Sequence, residues 1–207
     1  MSSNGRHLRG TLIAGIAATT LALAPAALAQ GITSAQGTTS AQGTTSAQAS
    51  PAGKDVPTTL VFDKNPADPT DSRLSVFKGE KLWATYRAGS GLGVKDDCAR
   101  SRGWIPNGNW KIKLKSRSYD GNLIKGYAVH LQDMKCSKGT VTRTEMFIHS
   151  EMNRDGSEGG TEPRRWDGVS DHRSNGCVKL NPTDIKKMFR LLDRKEIGWP
   201  THLRVVS

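Results

Sequence analysis

Trp110-Lys111-Ile112-Lys113-Leu114-Lys115 alternates strictly between apolar and charged side chains. Successive side chains on a strand point to opposite faces, so this period predicts a half-buried β-strand with Trp110, Ile112 and Leu114 inward and the lysines in water. The same texture extends on both sides. Leu60-Val61-Phe62 is a short candidate strand. Leu74 and Val76, then Leu82, Ala84 and Tyr86, alternate about Lys78-Gly79-Glu80, which reads as a hairpin. Tyr127 to Leu131, Met146 to Ile148 and Leu203 to Val206 supply further strands. One stretch reads as a helix. Asn181 is its N-cap, Pro182 its first residue, and Asp184 follows three after the cap. Ile185, Met188, Phe189 and Leu192 then repeat at the spacing of a buried helical face. The fold class is mostly β with one late amphipathic helix.

Upstream the chain changes character. Arg6 and Arg9 precede an apolar run, Thr11 to Ala24, and Ala27-Leu28-Ala29 offers a small-x-small cleavage site. That is the layout of a signal peptide over residues 1–29. The run falls short of the roughly 20 residues a membrane-spanning helix needs, and nothing later is apolar enough. The expectation is export with no transmembrane segment after cleavage; an uncleaved anchor is the alternative. Residues 30–57 repeat Thr-Ser-Ala-Gln-Gly-Thr, with Ser34, Ser40 and Ser46 in step, and cannot bury a core. They read as a disordered, flexible linker. Residues 58–207 suffice for one domain with its own core.

Charge and cysteines narrow the class. The chain carries 30 Lys and Arg against 19 Asp and Glu, a net +11, and the leader takes away only two arginines. An exported basic domain is attracted to the anionic polymers of an envelope, or simply keeps its lysines solvated. Nucleic acid is not an expected partner, since export removes the protein from it and no reading helix or aromatic platform is present. Of three cysteines, Cys98 and Cys136 lie in polar, loop-like surroundings. The economical pairing bridges them and leaves Cys177 free; such a bridge stabilises by about 3–4 kcal/mol. The other pairing makes Cys177 structural. No Cys-x-x-Cys or His-x-x-x-His pair suggests a metal, and no cofactor is expected. His130 and His202 lack companions in the sequence.

Ser174-Asn175-Gly176-Cys177-Val178-Lys179 then stands out, with Met146-Phe147-Ile148-His149 upstream. A thiol attacks an acyl carbon only as thiolate, so it needs a nearby base and amides to hold the oxyanion. Cys177 is the candidate nucleophile and His149, mounted at a strand end, the candidate base. Gly176 lets the backbone approach closely, and the Gly176 and Cys177 amides are candidate oxyanion donors. His172, five residues before the cysteine, is a rival base or a substrate contact. Arg173, Lys179 and Asn175 flank the nucleophile as candidate substrate contacts.

In order and in motif, residues 58–207 resemble the YkuD-type L,D-transpeptidases. The likeness rests on the leading hairpin, Gly103 to Trp110 before a strand, Ile148-His149, Ser174-Asn175-Gly176-Cys177-Val178, the helix and a closing strand. It implies a β-sandwich or barrel-like catalytic domain acting on peptidoglycan stem peptides. By that likeness Cys177 would attack a tetrapeptide stem, release D-alanine and pass the acyl group to another stem, forming a 3→3 cross-link. Water as acceptor would make the protein an L,D-carboxypeptidase. The rival from another class is a non-catalytic, basic wall-binding module with Cys177 inert. The likeness also implies that a backbone carbonyl near Ser174 orients His149; from its placement, the His149 imidazole is expected to hold the Cys177 thiol as a thiolate–imidazolium pair. Two features depart from the family: Ser150 to Arg173 is longer than usual, and lysine follows Cys-Val. The long segment is expected to form a lid, with Trp166 over the acyl chain.

Overall fold

The computed structural model describes residues 56–207. The leader and nearly all of the linker lie outside them. In chain order the strands are β1 (Thr58–Asp63), β2 (Ser72–Lys78), β3 (Lys81–Ser90), β4 (Gly108–Asp120), β5 (Lys125–Leu131), β6 (Met134–Lys135), β7 (Thr142–Arg143), β8 (Phe147–His149), β9 (Val178–Leu180) and β10 (His202–Val206), with helix α1 at Pro182–Leu192. Eight of them close into a barrel in the order β1-β10-β4-β5-β8-β9-β3-β2, and β6 and β7 pair apart. Among the described residues no helix is long and apolar enough to cross a membrane.

The alternation read from sequence builds the barrel interior. Leu60 and Phe62 on β1, Leu74 and Val76 on β2, Trp110 on β4, and Leu203 and Val205 on β10 are all buried. Each such side chain contributes roughly 1.5–3 kcal/mol by leaving water. The β2–β3 turn is Gly79-Glu80, and Gly79 takes φ +59°, the left-handed value a two-residue hairpin asks of its first residue. Helix α1 forms as its residues predict. The Asn181 side chain accepts from Thr183 N, and Ile185, Met188, Phe189 and Leu192 are buried against the barrel.

The alternation fails at two places. Trp110 is fully buried and donates from Nε1 to Pro106 O at 3.0 Å, but Leu114 is 45% exposed. The β4–β5 register shifts between Ile112 and Leu114, and an extra residue turns the following side chains over. Leu82 is exposed for the same reason, past an irregularity at Val76 and Phe77. Strand β4 then runs on with β5 to Asp120, well beyond the expected Lys115, and its Tyr119 reaches over the outer face of β8.

The expected bridge is present. Cys98 and Cys136 are joined, with Cα atoms 5.1 Å apart, and Cys177 is free and buried. The bridge fastens the loop after β3 to the β6–β7 sheet. Replacing both cysteines by serine is expected to cost about 3–4 kcal/mol and about 10 °C in Tm, read by calorimetry without reductant. A shift below 2 °C would contradict this.

Candidate active site

Strands β8 and β9 run side by side in parallel, with Ile148 opposite Val178 and His149 opposite Lys179. Ile148 and Val178 fill the barrel interior. With a two-residue period, Phe147 and His149 on β8 and Cys177 and Lys179 at β9 therefore share the outer face. His149 stands diagonally across from Cys177, about 8 Å between backbones by strand spacing and rise. That outer face is not in open water. Ala128, Phe147 and Cys177 form a small buried apolar cluster, covered in part by Tyr119 and Ile124 of the long β4–β5 hairpin.

The ring of His149 is fixed by its neighbour. Its Nδ1 lies 3.1 Å from Ser150 O, which can only accept, so Nδ1 carries the proton and Nε2 is the basic nitrogen. The orienting carbonyl is thus that of Ser150, not one near Ser174. The Cys177 thiol donates to Glu145 O at 3.6 Å, and no hydrogen bond joins it to His149 among the described residues. Glu145 sits at φ +53°, an uncommon conformation for a side-chain-bearing residue, and it lines the same cavity as the thiol.

Burial sets the resting charges. It pushes the Cys177 thiol up to about 11, although the Phe147 amide and the Arg143 and Lys179 charges favour the thiolate. Burial, then the Lys179 charge, brings His149 down to about 4, against the Ser150 hydrogen bond. Desolvation outweighs every favourable partner, so the site rests as neutral thiol and neutral imidazole rather than as the expected ion pair. The thiolate is the reactive form, and its share grows as pH rises toward the raised value. Alkylation of Cys177 by iodoacetamide, followed by protein mass, is expected to climb about tenfold per pH unit between pH 7 and pH 10. A rate already level at pH 7 would contradict it.

Ser174 holds the Asn175–Cys177 loop together. Its hydroxyl donates to Cys177 O at 2.6 Å and accepts from Gly91 N and Gly176 N, each at 3.2 Å. The Gly176 amide is therefore engaged by Ser174, which removes one of the two expected oxyanion donors. Buried Ser90 donates to Gly176 O at 2.8 Å and accepts from Ile105 N at 2.9 Å. Gly176 itself has φ +114°, and a Cβ there would lie 1.9 Å from Arg143 Nη2. Only glycine fits.

Cys177 and His149 open into one cavity of about 840 Å³. Arg173 and Asn175 are exposed on its wall. Lys179 lines it too, but its side chain is 8% exposed, ion-paired with Glu151 and donating to Arg173 O at 3.0 Å, so its charge is already partnered. His172 and Trp166 are not on the cavity wall; they pack edge to face with centroids 4.9 Å apart. Burial lowers the His172 pKa, and its Nε2 has no hydrogen-bond partner among the described residues. The two ends of the long segment, Ser150 and Glu151 and then Arg173, line the cavity, and from its middle Pro163, in a 3₁₀ turn at Glu162–Arg164, reaches it. Arg164 docks that turn on the β4–β5 hairpin, donating to Leu123 O at 2.9 Å. Three residues carry no sequence signal for the site. They are Arg143, Glu145 and His130, which stacks on Phe147 at 4.3 Å and faces Glu145 Oε1 at 3.9 Å.

The chain matches the YkuD family, the L,D-transpeptidase catalytic domain, over residues 66–200, and it belongs to that family. Among solved structures it is similar to L,D-transpeptidase 1 of Mycobacterium tuberculosis, at 18% identity and a TM-score of 0.40, over 72% of this chain and 63% of that one. It is also similar to an L,D-transpeptidase from Mycobacterium smegmatis, at 14% identity and a TM-score of 0.38, over 72% and 59%. A third, from Xylanimonas cellulosilytica, shares 13% identity at a TM-score of 0.38, over 72% and 61%. The chain thus spans about three fifths of the length of each. No curated protein matches the sequence.

Proposed function

We propose that the protein is an exported L,D-transpeptidase that forms 3→3 cross-links between peptidoglycan stems through an acyl-Cys177 intermediate. The observation that carries this reading is the placement of Cys177 and His149 on one outer face of β8–β9, opening into a single cavity. A tetrapeptide stem binding there would carry its penultimate carbonyl to Sγ. As Sγ attacks, its proton passes to His149 Nε2, which rotation about the Cys177 side chain brings within reach. The charge on the carbonyl oxygen is held by the Cys177 amide, since the Gly176 amide is engaged by Ser174. The imidazolium then gives its proton to the departing D-alanine amine, and the thioester remains. A stem amine attacks the thioester next, loses a proton to His149 and restores the thiol. Exposed Arg173 suits a stem carboxylate, which a guanidinium can take with two hydrogen bonds.

The test is incubation with purified tetrapeptide muropeptides, read by mass spectrometry. Cross-linked dimers with loss of D-alanine support the transpeptidase. Trimmed monomers alone turn the assignment to an L,D-carboxypeptidase. Unchanged substrate with folded protein would sink both and leave the wall-binding module.

A further inference from the structure

Arg143 is the one buried guanidinium of the described residues, 4% exposed, and no carboxylate pairs with it. All its hydrogen bonds go to backbone carbonyls. Nη1 donates to Asp97 O at 2.6 Å and to Trp104 O at 3.1 Å. Nη2 donates to Gly103 O at 3.1 Å and to Asn175 O at 3.3 Å. A guanidinium out of water is costly, and here burial lowers its pKa. Barrel closure does not need this charge: Arg143 lies on β7, outside the barrel. Its fork instead joins three separate chain segments, the 97–104 loop, its own strand β7, and the residue two before the nucleophile.

We infer that Arg143 is a positioning residue for the nucleophile, clamping the Asn175-Gly176 approach against the 97–104 loop so that Cys177 is held at the mouth of β9.

Three observations converge on this. The glycine at 176 leaves the space that Arg143 Nη2 fills, since a Cβ there would collide with it at 1.9 Å. The far side of the clamp is itself fastened. Cys98 and Cys136 are bridged, and Asp97 accepts from Ser137 Oγ at 2.8 Å and from Ser137 N at 3.2 Å. The clamp geometry also asks for arginine, because an ammonium has one donor centre and cannot span carbonyls on opposite sides. The guanidinium charge lies near enough to Cys177 to favour the thiolate when it forms. Among the described residues the loop Asn175-Gly176 is otherwise hydrogen-bonded only through Ser174 and Ser90, so removing the clamp loosens one side of it and leaves the barrel intact.

The inference rests on the proposed acyl transfer for its kinetic readout, and the structural readout is independent of it. Arg143→Lys keeps a buried cation and is the variant expected to fold; Arg143→Met removes the charge as well. Hydrogen exchange by mass spectrometry should show the Arg173–Lys179 peptide of Arg143→Lys exchanging at least about tenfold faster, with the peptides of β1, β2 and β10 unchanged. D-alanine release should fall at least about 30-fold in kcat with KM within about threefold, because a displaced nucleophile loses rate rather than binding. Unchanged exchange in the 173–179 peptide of folded Arg143→Lys, or a change spread evenly over the barrel, overturns the inference. So does a kcat within threefold of a wild-type protein that turns over. A wild type that releases no D-alanine fails the functional reading, and the exchange measurement then decides the role of Arg143 alone.

Discussion

Cys177→Ser is expected to abolish D-alanine release, by at least about 10⁴-fold, while the barrel stays folded. The thiol is already hard to ionise, held up to about 11 by burial, and its base is weak, with His149 near 4. Sulfur still reacts because a thiolate is intrinsically nucleophilic and can form as the carbonyl approaches. A serine hydroxyl is far less acidic than the thiol and would face the same weak base, with nothing added in compensation. Stability should change by only about 1 kcal/mol, since one buried atom is exchanged in a loop outside the barrel core. The variant that keeps the native denaturation midpoint and loses all turnover separates chemistry from folding. Retention of more than one hundredth of wild-type activity would contradict the assignment of Cys177.

Gly176→Ala is the second large effect, and its cause is steric. The residue stands at φ +114°, where a Cβ is strained whatever the space around it, and that Cβ would sit 1.9 Å from Arg143 Nη2 and 2.9 Å from Gly103 O. Neither neighbour is free to yield. Nη2 is held by Gly103 O and Asn175 O, and the Gly103 backbone lies in the loop pinned by the Cys98–Cys136 bridge. The nucleophile loop must therefore move. We expect a loss of about 2–4 kcal/mol in denaturant unfolding and at least about 100-fold in turnover, the scale on which a shift of about 1 Å acts. Turnover within fivefold of wild type would show that the loop tolerates displacement and that Gly176 is not required there.

Much of the fold was legible because it is written in short periods. Asn181-Pro182 with Ile185, Met188, Phe189 and Leu192 announces the helix, and Leu74, Val76 and Gly79 announce the hairpin. Alternation misleads at Leu114, where a single extra residue in β4 reverses the faces; bulges leave no mark in hydrophobic pattern. At the site, Cys177 and His149 were legible from residue type and strand context, and the structure brings them into one cavity. Their resting charges were not, because burial depends on the β4–β5 hairpin folding over them from more than twenty residues away. Arg143 was invisible for a related reason. In Thr142-Arg143-Thr144 it reads as one more surface arginine, and only folding places the Asp97, Gly103, Trp104 and Asn175 carbonyls around it. Lys179 shows the converse: adjacency to the nucleophile suggested substrate binding, while Glu151 from the next loop takes its charge. Trp166 and His172, chosen for type and proximity in sequence, pair with each other outside the cavity.

The proposed reaction requires an acyl group carried on the Cys177 sulfur. The direct measurement is protein mass after rapid acid quench with a tetrapeptide muropeptide, followed by peptide mapping. The expected result is a transient gain equal to the stem acyl group lacking D-alanine, confined to the peptide that contains Cys177 and absent from Cys177→Ala. D-alanine release without any such adduct, or an adduct on another residue, would contradict it.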